Sequence, residues 1–81
     1  MKAKVRLFAR LSELAGTREA ELEVSEGLTA GEVYQLLCRR YPALSGLNGS
    51  IRYAVNGEYA DPGHPVGEGD ELALIPPVSG G

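Results

Sequence analysis

The chain is poor in the residues that cross-link or anchor a small protein. Of its 81 residues one is cysteine, one phenylalanine, one histidine and none tryptophan. A single cysteine closes no internal disulfide, so the fold must rest on its core. Long apolar runs are missing too. The longest uncharged one, residues 72–78, holds two prolines and is far too short to span a bilayer. At the N-terminus Lys2, Lys4, Arg6 and Arg10 interrupt any targeting segment, and a cytoplasmic protein with no membrane association is expected. Positive charge is also scarce, with 8 Lys and Arg against 11 Asp and Glu and a formal charge of −3, which leaves no basic stripe for a nucleic-acid backbone. At this length there is material for one core and not for two.

What is present is a sequence of short, well-signalled elements. Ala3, Val5 and Leu7 alternate with Lys2, Lys4 and Arg6, the period of a strand with one buried face, and Phe8 falls in the polar phase. Residues 11–16 read as a helical turn closed by Gly16. In residues 19–24, Ala20, Leu22 and Val24 face one way and Glu19, Glu21 and Glu23 the other. That acid row reads as a solvated strand face and not a cation site. Thr29 and Glu32 have the spacing of a capping box, with Leu28 and Val33 as a hydrophobic staple. Val33, Leu36, Leu37 and Tyr41 then mark the buried face of a helix that Pro42 ends. Residues 43–50 read as irregular, and the Asn48-Gly49-Ser50 acceptor triplet has no secretory signal to give it meaning. Ile51, Tyr53 and Val55 resume a strand, Asn56-Gly57 predicts a tight hairpin with a short return strand at residues 58–60, and residues 71–75 form a last strand.

The order ββαβββ predicts an α+β fold of β-grasp, ubiquitin-like type: a mixed sheet of about five strands around one main helix, with the first and last strands side by side in its centre. The helix should pack on Val5, Leu7, Leu22, Val24, Val55, Leu72 and Leu74, leaving the other sheet face free. Residues 1–75 then form the domain and residues 76–81 a flexible, extended tail.

The tail, Pro76-Pro77-Val78-Ser79-Gly80-Gly81, joins opposite properties. The prolines favour an extended chain at its root, and the glycines make its tip slender enough to pass where a side chain would clash. Taken with Leu7-Phe8-Ala9, the turn at residues 11–16, Ala54-Val55-Asn56-Gly57 and Gly69-Asp70-Glu71, this tail resembles the small-subunit family of molybdopterin synthase, one of the ubiquitin-like sulfur carriers, over nearly the whole chain.

The resemblance implies a non-catalytic carrier. A ubiquitin-activating-type adenylyltransferase would use ATP to adenylate Gly81. A sulfur donor, such as a cysteine desulfurase or rhodanese-like protein, would convert it to a thiocarboxylate. The large subunit of molybdopterin synthase, in a heterotetramer, would then pass the sulfur to a cyclic pyranopterin monophosphate. The chemistry requires activation, because a carboxylate is a poor electrophile at neutral pH, whereas a thiocarboxylate is a soft nucleophile. Gly81, with Gly80 behind it, carries the chemistry. No cofactor or metal is expected on this chain.

Phe8, Tyr59 and Ile75 are the candidate partner-binding residues of the sheet face, with Pro76, Pro77, Val78 and Ser79 entering the partner. Other candidates read as structural. Cys38 and His64 lie on separate elements, Asp70 and Glu71 point to opposite faces, and Gly67-Glu68-Gly69 lacks the Lys-Ser/Thr and helix of a phosphate loop. The competing functions are a carrier for thiamine or tRNA thiolation, a ubiquitin-like protein modifier, and a β-grasp interaction module that uses only its sheet surface.

Overall fold

The computed structural model describes residues 1–47 and 50–76. The glycosylation-like triplet therefore falls partly outside the described residues, as do Pro77, Val78, Ser79, Gly80 and Gly81 of the tail.

Strand β1 (Lys2–Leu7) alternates exposed and buried along its whole length. A short helix α1 (Arg10–Ala15) follows, closed by Gly16 at φ 75°. Strand β2 (Glu19–Glu23) returns antiparallel to β1. The main helix α2 (Ala30–Arg40) leads to β3 (Arg52–Val55), β4 (Glu58–Ala60) and β5 (Glu71–Ile75). The sheet order is β2-β1-β5-β3-β4, with β1 and β5 parallel in the centre and the other pairs antiparallel. This is the expected β-grasp arrangement. Asn56 and Gly57 both take positive φ, 52° and 86°, which matches the hairpin's twist to that of its strands.

Helix α2 starts where its capping box predicts. The Thr29 hydroxyl oxygen accepts from the Glu32 amide at 3.3 Å, and the Glu32 carboxylate accepts from the Thr29 amide at 2.9 Å. Those bonds to Thr29 hold the Glu32 carboxyl below the usual carboxylate range. The loop at residues 61–66 closes the same end. The Pro62 carbonyl accepts from the Gly31 amide at 2.8 Å and the His64 carbonyl from the Ala30 amide at 2.9 Å. Gly31 lacks a Cβ where one would lie 3.3 Å from the Pro62 oxygen.

The core lies between α2 and one sheet face. Val5, Leu11, Val33, Leu37, Leu44, Leu72 and Leu74 are fully buried there. Two expectations need correction. The helix buries Ala30, Val33, Tyr34 and Leu37, while Leu36 and the C-cap Tyr41 are only half-buried. Tyr34 replaces Leu36 because its ring lies edge-on to Tyr53, 6.5 Å between centroids, and its hydroxyl donates to the buried Leu44 carbonyl. Secondly, Pro42–Leu47 is a 3-10 helix and not irregular, which brings Leu44 into the core.

The root of the tail and the free sheet face

Strand β5 ends at Ile75 between two neighbours that define the tail's root. On one side Arg52 pairs with Ile75. On the other, Leu7 pairs with Leu74 and the Phe8 amide donates to the Leu74 carbonyl at 3.4 Å, which brings Phe8 alongside the end of the last strand. Leu72 and Leu74 point to the core, so Ala73 and Ile75 occupy the opposite face.

Phe8 is held outward by the chain's exit from β1. Ala9 takes φ 51°, ψ −126°, a conformation rare for a residue with a Cβ, and α1 begins immediately after it. Strain of this kind costs about 1–3 kcal/mol and persists where the surrounding structure imposes it. The ring is 41 % exposed, and the Arg6 guanidinium lies 5.5 Å from its centroid while also pairing with Glu71 at 3.8 Å.

The three apolar candidates are not one contiguous cluster. Phe8 and Ile75 are neighbours at the ends of adjacent strands. Tyr59, 72 % exposed, stands on β4, two strands or roughly 10 Å from β5. Ala54, buried and paired with both Ala73 and Tyr59, forms a low floor between them. Sequence reasoning named Ala54 only within the motif of residues 54–57 and did not single out Ala73 or Arg52. The available signal was two alanines in the solvent-facing phase of neighbouring strands, where charged residues would be ordinary.

The remaining candidates are structural. Cys38 is half-buried on α2 against the core, and His64 lies exposed in the loop that closes the helix start. Burial, with the Cys38 thiol nearby, pushes the Tyr34 hydroxyl well above its ordinary value. Asp70 accepts from the Gly67 amide at 2.9 Å and from Asn56 Nδ2 at 3.0 Å, while Asn56 Oδ1 accepts from the Glu71 amide at 2.9 Å. These bonds lower the Asp70 carboxyl and tie the β3–β4 hairpin to the start of β5. Glu19, Glu21 and Glu23 stand opposite Arg6, Lys4 and Lys2 across the β1–β2 pairing. Among the described residues no group of His, Cys, Asp and Glu could hold a metal ion, and no helix is long and apolar enough to cross a membrane.

A small domain with one sheet face packed on α2 and the other exposed matches known proteins. The family model described as "ThiS family" matches residues 5–81. The molybdopterin synthase sulfur carrier subunit of Arabidopsis thaliana is 37 % identical over 81 residues, covering all of this chain and 84 % of its own. Small archaeal modifier protein 1 of Haloferax volcanii is 40 % identical over 84 residues, covering 94 % of this chain and 97 % of its own. The crystal structure of that archaeal modifier superposes with a TM-score of 0.88 at 38 % identity over the whole of both chains. Caldiarchaeum subterraneum ubiquitin superposes with a TM-score of 0.65 at 26 % identity, covering 100 % of this chain and 98 % of its own. By sequence along almost its entire length, and by fold, the chain belongs to the ThiS family of ubiquitin-like sulfur carriers.

Proposed function

We propose that this chain is the sulfur carrier of a molybdopterin synthase, bearing sulfur as a thiocarboxylate on Gly81. The observation that carries the reading is the 37 % identity, across the whole chain, to a subunit named for that role. The fold is compatible with it. Strand β5 ends at Ile75, and the six residues after it span about 20 Å at most, enough to cross a partner's rim and enter a buried pocket.

The steps balance as follows. A Gly81 carboxylate oxygen attacks the α-phosphorus of ATP on an adenylyltransferase, and pyrophosphate leaves. With hydrosulfide standing for the sulfur donor, sulfur attacks the acyl carbon, AMP departs with the displaced oxygen, and the thiocarboxylate remains. In the large subunit the thiocarboxylate sulfur bonds to a side-chain carbon of the cyclic pyranopterin monophosphate as a C–O bond at that carbon breaks, the oxygen leaving on the phosphate as the cyclic ester opens or, at the second carbon, as water. Hydrolysis of the acyl–sulfur bond leaves sulfur on the product and returns the Gly81 carboxylate. Two such deliveries build a dithiolene. The carrier contributes binding, reach and a slender tip, and the partner supplies the catalytic groups. Phe8, Ile75 and Tyr59 are the apolar contacts of the free face, and Pro76, Pro77, Val78 and Ser79 line the path into the partner.

Intact mass after incubation with ATP, a sulfide source and the cognate adenylyltransferase should show one oxygen exchanged for sulfur. Adding the large subunit and its pterin substrate should reverse the exchange. Gly81→Val should fold and fail to load or transfer. A variant that loaded and donated normally would defeat the proposal. The archaeal modifier, at 40 % identity, favours a second reading as a protein modifier. It predicts instead that Gly81 appears in isopeptide linkage to lysines of other proteins when the activated chain meets a cell extract.

A further inference from the structure

Among the described residues three exposed arginines near the ends of β1 and β5 have no ion-pair partner. Arg18 lies beside the end of β1, its carbonyl accepting from the Leu7 amide at 2.8 Å. Arg52 opens β3 opposite Ile75, and Arg10 opens α1 two residues after Phe8. All three are exposed. Among the described residues the ion pairs are the Met1 amine with Glu23 and Arg6 with Glu71, so Glu13, Glu19 and Asp61, the acids nearest these arginines along the chain or its pairings, leave them unpaired.

This placement runs against the chain's negative charge. Its lysines, Lys2 and Lys4, lie at the opposite end of β1, paired in register with Glu23 and Glu21. At the root every cation is arginine. A guanidinium is weakly hydrated and forks onto a carboxylate, and arginine is enriched in protein interfaces where lysine is depleted. Here Arg52 stands opposite Ile75, Arg18 lines the same concavity as Phe8, and Arg10 follows Phe8 by two residues at the start of α1, so cations flank an apolar contact.

We propose that the partner surface gripping the tail's root is an apolar seat bordered by carboxylates, and that Arg10, Arg18 and Arg52 pair with that border. The proposal rests on the carrier reading and adds the chemistry of the partner. It also orients the encounter. The far end of the sheet carries Glu23, Glu58, Glu68 and Asp70 against Lys2, Lys4 and the Met1 amine, a weakly acidic balance, so an acidic border attracts the root more than the opposite pole and favours approach tail first.

The test is calorimetric titration of the full chain into its cognate large subunit at low and high salt. Wild-type binding should weaken with salt. Arg18→Glu with Arg52→Glu should bind about tenfold or more weaker at low salt and lose most of the salt dependence. The corresponding double lysine variant should recover much of the affinity, and Arg39→Glu, on the far helix, should leave it unchanged. Circular dichroism checks folding throughout. Wild-type-like binding by the double glutamate variant, or salt-independent wild-type binding, overturns the inference. So does self-association of the carrier that the same variant abolishes, which would assign the rim to a second copy. A wild-type chain that binds no large subunit at any ionic strength overturns the carrier reading itself and the inference with it.

Discussion

Asp70 shows how one side chain can hold two parts of the chain in register. Its carboxylate joins Gly67 and Asn56, and the bonds it accepts lower its titration below the ordinary 3.8. A carboxyl depressed in the folded state contributes stability that is complete above the unfolded value and is lost as pH falls through the folded one. Denaturant unfolding at a series of pH values should therefore show stability falling below about pH 4. Asp70→Asn should flatten that acid limb, leaving the share due to Glu32. Parallel curves for the two proteins would show that Asp70 does not carry the effect. At this scale the sequence was legible where chemistry is local and misleading where packing decides. Leu36 and Tyr34 both satisfy a helical pattern. Tyr34 goes inward because Tyr53 and the Leu44 carbonyl, distant in sequence, receive its ring and hydroxyl. The strained Ala9 carried no signal, since alanine does not announce positive φ.

Among the elements, α2 is the one whose start is specified twice. Its first amides are met by the Thr29 side chain within its own turn and by the Pro62 and His64 carbonyls from the loop before β5. Thr29→Ala should lower stability by about 1 kcal/mol, read from the denaturation midpoint at unchanged slope, because the loop still satisfies two of the amides. A loss several times larger would mean that the box also holds the loop. The capping box was readable because Thr29 and Glu32 are three residues apart. The loop's part was not, since nothing near Pro62 in sequence refers to a helix thirty residues earlier. The 3-10 helix was missed for a related reason. Its placement follows from Leu44 finding the core, and Pro42 and Gly46 locally suggest only a turn.

For the whole molecule, the face that meets a partner should be separable from the fold. Phe8 is exposed beyond the end of β1, so Phe8→Asp should unfold at nearly the wild-type denaturant concentration while binding the large subunit more weakly by roughly 2 kcal/mol. Unaltered calorimetric affinity would remove Phe8 from the interface. The topology itself was legible, because element order, the Asn56-Gly57 hairpin and the alternation of both central strands left few other arrangements. The grouping of Phe8 with Ile75, and the distance of Tyr59 from them, depended on register. Register also has a consequence for timing. The strand that comes last in sequence lies in the middle of the sheet, and Leu72 and Leu74 on it are fully buried, so the core stays open until that strand is inserted. Ile75 and Pro76 reach their places only when assembly is finished. Under the carrier reading, a partner that grips this end would meet Ile75 in place only on a chain whose central strand is inserted.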